Sequence, residues 1–328
     1  MKPFAYERAA TVADALQALA NQPAAKALSG GTNLVDLLRL GVETPETIID
    51  VNRLDFGGIE TTKDGGLRIG AGVRNSDAAA HPLVRERYPV LAKALLSGAS
   101  GQLRNMASTG GNLLQRTCCI YFTDPGKPCN KREPGTGCSA IGGESRDLAI
   151  LGVSDACIAT YPGDMAVALT ALETVVHYET LNGPLSVAIN DFYRLPRDSP
   201  HKDTRLPHGA LVTAIEIPQL TYGRRSTYRK ARDRRSFAFG LGTVAAALDL
   251  HHGNIRDARL ALGGVAHKPW RARVAEAALR GQPAIPQSYR EAARAELAVA
   301  TPTAHNAFKV ELLERLIVGS LHELAGGT

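Results

Sequence analysis

The hydrophobic pattern near the N-terminus alternates between helical and strand-like periods. Thr11-Val12-Ala13-Asp14 has the form of a capping box, and the apolar residues after it recur at helical spacing. Short apolar runs over residues 25–28 and 47–51 predict two buried strands. Between them, residues 33–40 predict a helix that ends at Gly41. This region is therefore predicted to be a small α/β unit.

The pattern then changes to strands joined by tight turns, with one long irregular stretch. Lys63-Asp64-Gly65-Gly66 predicts a hairpin between strands at 59–62 and 67–73, and a helix is predicted near 90–96. Residues 98–152 have no period and are rich in Gly, Pro, Asn and Thr; a loop of that length in a compact domain is usually functional. The predicted elements after it are a strand at 156–160, a helix beginning at Asp164, strands at 174–179 and 185–189, and a strand at 211–217.

Longer strands characterise the last third of the chain. They are predicted at 226–231, 243–250 and 258–262, and helices follow at 271–279 and 307–324. This succession is typical of a separate α+β domain. It places the domain boundary near Tyr222, so that the two predicted domains are residues 1–221 and 222–328.

Composition narrows the functional class. The chain has 328 residues, of which 44% are hydrophobic and 21% charged, and this excludes wholesale disorder. No run approaches the length of about eighteen apolar residues that a membrane span needs. Residues 1–8 lack the apolar core of a signal peptide, so we expect no export signal on this chain. The net charge of +6 owes much to a basic run at 224–235, but only 5% of the residues are aromatic, and we expect no nucleic-acid partner.

All five cysteines lie between Cys118 and Cys157. A disulfide framework would spread its cysteines over a small secreted domain, so this cluster indicates metal or redox chemistry instead. Four thiolates can hold a 4Fe–4S cluster or a structural zinc ion. No pair has the Cys-x-x-Cys spacing typical of zinc knuckles, and the irregular spacing favours iron and sulfur.

Two hydroxyl–Gly–Gly–Asn loops are candidates for holding a nucleotide. One is the segment 26–34, with Gly30 and Gly31 between a predicted strand and a predicted helix, and the other is 108–113. Glycines allow close approach of the backbone to a diphosphate, and free amides favour an anion. An ordinary strand–helix turn is the alternative. Asp164, after Tyr161-Pro162-Gly163, is either an N-cap or an acceptor for ribityl or ribose hydroxyls.

Together these features resemble the FAD-binding subunits of molybdenum hydroxylases, the xanthine dehydrogenase and carbon-monoxide dehydrogenase flavoprotein family. The resemblance covers essentially the whole chain and includes the sequences at 67–73 (LRIGAGV) and 263–271 (GGVAHKPWR). It implies an α+β chain: a PCMH-type FAD-binding fold of two α/β subdomains, then a C-terminal flavoprotein domain of antiparallel sheet plus helices. The cysteine-rich insertion, at about 115–157, resembles that of periplasmic aldehyde oxidoreductases, which carry a 4Fe–4S cluster.

The resemblance also implies site residues. Cys119, Cys129, Cys138 and Cys157 match the cluster ligands, and Cys118 is left out because the motif has no thiol there. Lys230 matches a family lysine near the flavin; the alternative is a solvated member of the basic run. The implied FAD contacts are Lys26, Ala27, Leu28, Ser29, Gly30, Gly31, Thr32, Asn33, Leu34, Ser108, Thr109, Gly110, Gly111, Asn112, Asp164, Val212 and Lys230.

The implied function is electron transfer within a heterotrimeric aldehyde oxidoreductase. A partner subunit would hold the molybdenum cofactor, another would hold 2Fe–2S clusters, and this chain would pass electrons through FAD to an external acceptor. We therefore assign no catalytic acid, base or nucleophile. The alternatives are a related CoA-thioester reductase, a xanthine dehydrogenase-type hydroxylase, and a zinc-stabilised nucleotide-binding scaffold without turnover. Periplasmic residence would require export with a signal-bearing partner; otherwise the complex is cytoplasmic.

Overall fold

The computed structural model describes residues 1–326 and contains three β-sheets with helices packed against them. The strands are β1 (Ala5–Arg8), β2 (Ala25–Leu28), β3 (Thr47–Asp50), β4 (Ile59–Thr61), β5 (Leu67–Gly70), β6 (Val175–Thr180), β7 (Gly183–Ala188), β8 (Leu211–Ile217), β9 (Ser226–Ala231), β10 (Gly242–His251), β11 (Asn254–Gly263) and β12 (Trp270–Arg271). The helices are α1 (Val12–Asn21), α2 (Leu34–Arg39), α3 (Asn75–Ala80), α4 (Pro82–Arg87), α5 (Pro89–Ser97), α6 (Gly101–Met106), α7 (Thr109–Leu113), α8 (Ile120–Thr123), α9 (Asp164–Ala171), α10 (Ile189–Phe192), α11 (Arg273–Leu279), α12 (Pro286–Leu297) and α13 (Phe308–Leu324). No helix among residues 1–326 is long and apolar enough to cross a membrane.

The first sheet is parallel, in the order β1-β3-β2. Helix α1 covers one face with Ala15, Leu16 and Leu19, and the predicted capping box holds its N-terminus: the Thr11 hydroxyl accepts from the Asp14 amide, and the Asp14 carboxylate accepts from the Thr11 amide. Strand β2 runs directly into the first glycine loop. Because the strands are parallel, the C-terminal end of β3 lies beside that loop.

The second sheet is antiparallel, in the order β4-β5-β8-β6-β7, and its core includes residues of α5 and α9. Its second strand, β5, leads toward the second glycine loop. The Thr109 amide donates to the Val73 carbonyl and the Gly110 amide to the Ala71 carbonyl, each over 2.9 Å. A Cβ on Gly110 would lie 3.0 Å from the Ala71 Cβ, so this close approach favours glycine.

The third sheet, β12-β11-β10-β9, is also antiparallel, and α11, α12 and α13 cover it. Strand β9 presents alternate side chains to two surroundings. Thr227 and Arg229 contact Glu323 of α13, whereas Tyr228 and Lys230 contact Asp164 at the start of α9. The strand therefore brings two side chains of the C-terminal region to the first residue of a helix from the preceding region.

The predicted α+β fold class is confirmed, but one predicted strand does not form and one long helix was not predicted. The strand expected at 156–160 does not form; Cys157 makes only an isolated bridge with Ser154, and the Tyr161 amide donates to the Ala266 carbonyl. The run is apolar because it is buried among loops, not because it belongs to a sheet. Helix α12 was not predicted, because its buried face carries small and polar residues such as Ser288, Ala292 and Glu296.

A buried ion pair between β12 and α11 provides a test of this packing. Glu276 accepts hydrogen bonds from Arg271 and from the Leu260 amide (2.7 Å), and Arg271 also donates to the Thr170 carbonyl (2.9 Å). Glu276→Ala should lower the free energy of unfolding by about 3–5 kcal/mol in urea titrations. It removes the nearer carboxylate from the buried Arg271 guanidinium, so that Glu173, at 3.5 Å, is the carboxylate that still pairs with it. The matched control Glu291→Ala, on the exposed side of α12, should change it by less than about 0.5 kcal/mol. Equal effects would contradict this account of the pair.

Candidate functional site

A cleft of about 1320 Å³ runs between the first sheet, the second sheet and the segment that follows β9. Both glycine loops line it. Of the predicted cofactor contacts, all but Thr109 line its wall, including Asp164, Val212 and Lys230. Thr109 is buried and its hydroxyl donates to the Val73 carbonyl over 3.0 Å. The structure thus brings together residues that are more than two hundred positions apart in sequence, but their contact with a cofactor stays a prediction.

The first glycine loop presents unused backbone amides to this cleft. Among the protein groups of residues 1–326, none accepts a hydrogen bond from the amides of Gly30, Gly31, Thr32 or Asn33. Gly31 has φ = 71°, a conformation that favours glycine. Consecutive free amides in a concave wall are suited to an anion such as a diphosphate. The donor set of this loop therefore fits the diphosphate of a dinucleotide.

The second glycine loop does not offer free amides, so the expectation that both loops bind an anion through their amides is wrong for this one. The amides of Thr109 and Gly110 donate to the carbonyls of Val73 and Ala71, just after β5, the Gly111 amide donates to the Ser108 hydroxyl (3.3 Å), and the Asn112 amide donates to the Ser108 carbonyl (2.8 Å). The amides of this loop hold the loop in place. What it can offer a ligand is close backbone approach and side chains.

The two loops nevertheless lie close together through Met106, two residues before the second one. A Cβ on Gly30 would lie 2.0 Å from the carbonyl oxygen of Met106, closer than any real contact. Arg74 donates to that same carbonyl over 2.6 Å and to Asn52, and Asn52 donates to the Ser29 carbonyl over 3.0 Å. The requirement for glycine at position 30 is therefore set by backbone of a distant segment.

Asp164 and Lys230 form a buried ion pair at one end of the cleft. Lys230 Nζ lies 2.7 Å from Asp164 Oδ2, and the side chains are 3% and 8% exposed. The alternative of Lys230 as a solvated member of the basic run is therefore wrong. Asp164 is not the N-cap of α9 either; Gly163 is, and the other Asp164 oxygen accepts from the Tyr228 hydroxyl over 2.7 Å. Tyr228 was missed in the sequence, although its position two residues before Lys230 places it on the same strand face.

The opposite part of the cleft is held by a network of charges that sequence patterns did not indicate. The Arg116 guanidinium donates to Glu43 (2.6 Å) and Asp203 (3.0 Å), and Lys131, 2% exposed in its side chain, also pairs with Asp203. Burial alone would raise the pKa of Asp203, but Lys131 and Arg116 outweigh it and lower that pKa. Lys26 adds a further cation 3.3 Å from Glu43. All these carboxylates are therefore held ionised beside the cleft.

His267, within the sequence quoted above for residues 263–271, completes this network. Burial and the charge of Lys131 lower its pKa to about 4, so the ring is neutral at pH 7. Its Nε2 accepts from Lys131 Nζ over 2.7 Å, and its Nδ1 donates to the Arg194 carbonyl over 3.2 Å. The histidine therefore connects the cysteine-rich insertion to the C-terminal region without carrying charge.

Four of the five thiols share one buried site in the insertion. Cys119, Cys129 and Cys157 are buried in an apolar cluster with Phe122 and others, and Cys138 packs against it. Burial raises the pKa of the Cys157 thiol to about 12, with further contributions from Cys138 and Cys119, whereas Lys131 opposes them. Burial also raises the pKa of Cys119, with contributions from Cys129 and Cys138. The four thiols therefore lie in one neighbourhood of the insertion.

This thiol site differs from a preformed site for a single metal ion. Within the part of the chain that the structure describes, no three His, Cys, Asp or Glu side chains converge closely enough to hold one ion. A structural zinc site brings four ligands to about 2.0–2.3 Å from one point.

Cys118 is half-buried and does not belong to the apolar cluster that holds the other four thiols. Burial raises its pKa to about 12, with a contribution from the adjacent Cys119. Together with Cys119 it lines a smaller cavity of about 240 Å³, which shares Asp164 with the main cleft. The exclusion of Cys118 from the ligands stays a prediction.

The insertion is also fastened to the C-terminal region at its far end. Lys309 of α13, fully buried, donates to the carbonyls of Leu148 (2.9 Å) and Gly264 (2.8 Å). Arg146 forms a two-bond ion pair with Asp233, at 2.9 and 2.7 Å, in the segment after β9. The thiol site is therefore held between elements of both halves of the chain.

Comparison with known proteins identifies the class. Residues 2–220 match the family described as the FAD binding domain in molybdopterin dehydrogenase, and residues 226–324 match the CO dehydrogenase flavoprotein C-terminal domain. Over almost its whole length, therefore, the chain belongs to the family of FAD-binding subunits of molybdenum hydroxylases, which are oxidoreductases. The predicted resemblance and the assignment of FAD are confirmed at this level.

Two individual relatives within this family are similar to the chain over most of its length. The chain is 50% identical over 325 residues to the aldehyde oxidoreductase FAD-binding subunit PaoB of Escherichia coli K12, covering 98% of each chain. It is 31% identical over 269 residues to the glyceraldehyde dehydrogenase medium chain of Sulfolobus acidocaldarius, covering 82% of this chain and 78% of that one. Both alignments cover most of the chain.

Solved structures share the fold. A chain of the Cu,Mo-CO dehydrogenase superimposes with a TM-score of 0.78 at 20% identity, covering 99% of each chain. A chain of quinoline 2-oxidoreductase from Pseudomonas putida 86 gives a TM-score of 0.76 at 22% identity, also over 99% of each chain. At these identities the likeness concerns the fold alone.

The backbone contact at Gly30 provides a direct test of the cleft. Gly30→Ala should reduce the FAD content of the purified chain at least tenfold, measured by extraction and absorbance, because its Cβ would meet the Met106 carbonyl and displace the free amides. Gly101→Ala is the matched control, since a Cβ there meets nothing within 4 Å. An unchanged FAD content in Gly30→Ala, with the control also unchanged, would show that the loop does not hold the flavin.

Proposed function

We propose that this chain is the FAD- and 4Fe–4S-containing electron-transfer subunit of a molybdenum-dependent aldehyde oxidoreductase, in which an aldehyde and water give a carboxylate. The observation that carries the proposal is a buried four-thiol site that shares a wall with the dinucleotide-fitting cleft. Arg116 joins them: its amide donates to Asn33 Oδ1 of the first loop over 3.0 Å, and its guanidinium donates to the Lys131 carbonyl, two residues from Cys129.

The residues proposed to hold FAD are the cleft-lining ones named above. The free amides of residues 30–33 would bind the diphosphate, and the side chains at the Asp164–Lys230 end would face the polar part of the flavin. When bound, FAD supplies the exchange between one-electron and two-electron carriers. The chain's own contribution is to bind and orient that group and to place a cation beside it, which is why no catalytic acid or base is assigned.

The residues proposed to hold the 4Fe–4S cluster are Cys119, Cys129, Cys138 and Cys157. Support comes from their mutual proximity, from their burial, and from Lys131, whose charge favours the thiolate form of Cys157. Cysteine thiolates are the usual ligands of such clusters. The zinc-stabilised scaffold is the competing proposal, and the absence of a compact ligand set among residues 1–326 disfavours it.

Partners and acceptor follow from the relatives. The relative from Sulfolobus is called a medium chain, which indicates an enzyme of several subunits. We propose a heterotrimer with a molybdenum-cofactor subunit and a 2Fe–2S subunit, from which this chain takes electrons for an external acceptor. The 50% identity to an aldehyde oxidoreductase subunit favours aldehydes over the CoA-thioester and xanthine-type alternatives. Periplasmic location by co-export, with the cytoplasm as the alternative, is part of this proposal.

The cluster assignment makes a prediction for each thiol. The purified, FAD-loaded chain should contain about four irons. Serine at position 119, 129, 138 or 157 should reduce iron to below about one per chain, because each substitution removes one thiolate ligand. Cys118→Ser is the matched control and should keep the iron of the wild type. Iron analysis and the visible spectrum of anaerobically purified protein measure both.

Other results would change the proposal in defined ways. FAD with zinc and no iron would keep the flavoprotein and contradict the 4Fe–4S cluster. Loss of iron in Cys118→Ser but not in Cys119→Ser would show that Cys118, not Cys119, is the ligand. Neither flavin nor iron, in folded protein assembled with its partners, would favour the scaffold. Aldehyde-dependent reduction of the chain within the complex tests the substrate class.

A further inference from the structure

The ammonium of Lys230 lies at the cleft, and two of its three N–H groups donate to acceptors among residues 1–326. Of its three N–H groups, one reaches Asp164 Oδ2 (2.7 Å) and another the Ser97 carbonyl (3.2 Å). The side chain lines the cleft although it is only 3% exposed. A buried cation so close to a ligand cavity is screened less by solvent than a surface cation is.

Asp164 is fully engaged with the protein in this arrangement. Its Oδ1 accepts from the Tyr228 hydroxyl and its Oδ2 from Lys230, both over 2.7 Å. Burial, with the charge of Asp164, raises the pKa of Tyr228 well above its ordinary value, so the phenol stays protonated and donates. The sequence predicts that Asp164 accepts hydrogen bonds from ribityl or ribose hydroxyls, and this stays a prediction. In the structure each of its two oxygens already accepts one hydrogen bond from a neighbouring side chain.

The other charges around this end of the cleft are cationic. Arg232 donates to the same Ser97 carbonyl as Lys230 does, over 2.9 Å, and Arg104 donates to the Gly98 carbonyl over 2.7 Å. Arg234 lines the cleft as well. Arg234 is exposed and Arg104 and Arg232 are partly exposed, whereas the side chains of Lys230 and Asp164 are only 3% and 8% exposed. Solvent therefore screens the charges of this pair less than it screens the guanidiniums.

We propose that Lys230 is the cation that raises the reduction potential of FAD in this cleft, and that Asp164 is a positioning residue that fixes this cation and offsets part of its charge. The inference rests on the proposed function, because it requires the flavin to lie in this cleft. Reduction adds electrons to the flavin, and a fixed positive charge nearby stabilises the reduced state relative to the oxidised one. A fixed negative charge has the opposite effect. Removing Lys230 and removing Asp164 should therefore shift the potential in opposite directions.

The test is a redox titration of the FAD-loaded full chain in its complex, followed by the flavin absorbance. Lys230→Met should lower the flavin potential, and the near-isosteric Asp164→Asn should raise it. We expect each to change the ratio of oxidised to reduced flavin at a fixed potential by about tenfold, which is about 30 mV for a two-electron couple. The double variant should return close to the wild type, because the pair it removes is neutral.

Three further variants separate charge from structure. Lys230→Arg keeps the cation, so its flavin potential should stay closer to that of the wild type than the potential of Lys230→Met does. Tyr228→Phe keeps both charges and should shift it less than either single change. Arg229→Met is the matched control: it removes a cation from the same strand on the opposite face, where Arg229 pairs with Glu323, and should leave the potential unchanged.

The outcomes distinguish this inference from the function on which it rests. Shifts of the same sign in Lys230→Met and Asp164→Asn, or no shift in either while FAD content is normal, would overturn the inference and leave the flavin site standing. A loss of FAD from Asp164→Asn, with the potential of the remaining flavin unchanged, would support the direct ribityl contact and overturn the positioning role. A wild-type chain that binds no FAD would contradict the proposed function itself.

Discussion

Charge burial around Arg116 is the constraint on which the rest of the site depends. A guanidinium removed from water is tolerated only when carboxylates and carbonyls surround it, and here Glu43, Asp203 and the Lys131 carbonyl do so. These partners come from three separate segments: the first α/β unit, the connector before β8 and the insertion. Because each segment also lines the cleft or carries a thiol, satisfying this partly buried cation fixes the position of the thiol site relative to the cleft.

The need to satisfy buried polar groups also explains why one glycine loop has free amides and the other does not. Backbone amides that bond to protein are unavailable to ligands, and the second glycine loop uses its amides to bond to Ala71 and Val73, just after β5, and to Ser108. The amides of residues 30–33 find no acceptor among residues 1–326, and Gly30 lies so close to the Met106 carbonyl that only glycine fits there. Two similar glycine loops thus differ in their free amides, because the backbone that each one packs against is different.

Much of the fold could be predicted from the chain alone, because it depends on local patterns. The capping box at Thr11 and the strands β2, β8 and β9 follow directly from side-chain chemistry and periodicity. The apolar run at 156–160 was misleading, since burial by loops leaves the same pattern as burial in a sheet. Arg116 and Tyr228 could not be found in this way, because their roles come from partners such as Asp203 and Asp164 that are distant in sequence. The grouping of the cysteines was visible in the sequence, but the apolar cluster that four of them share was not.

The insertion leaves the cleft just after α7 and rejoins it just before α9, so the thiol site lies within an interruption of the cleft wall. Gln115 at its start and Pro162 just beyond its end both line the cleft. Lys309 and the Arg146–Asp233 pair bind the far side of the loop to the C-terminal region. A group held by the four thiols would therefore cross-link the segments that flank the cleft, as a disulfide cross-links a loop, whatever part it takes in electron transfer.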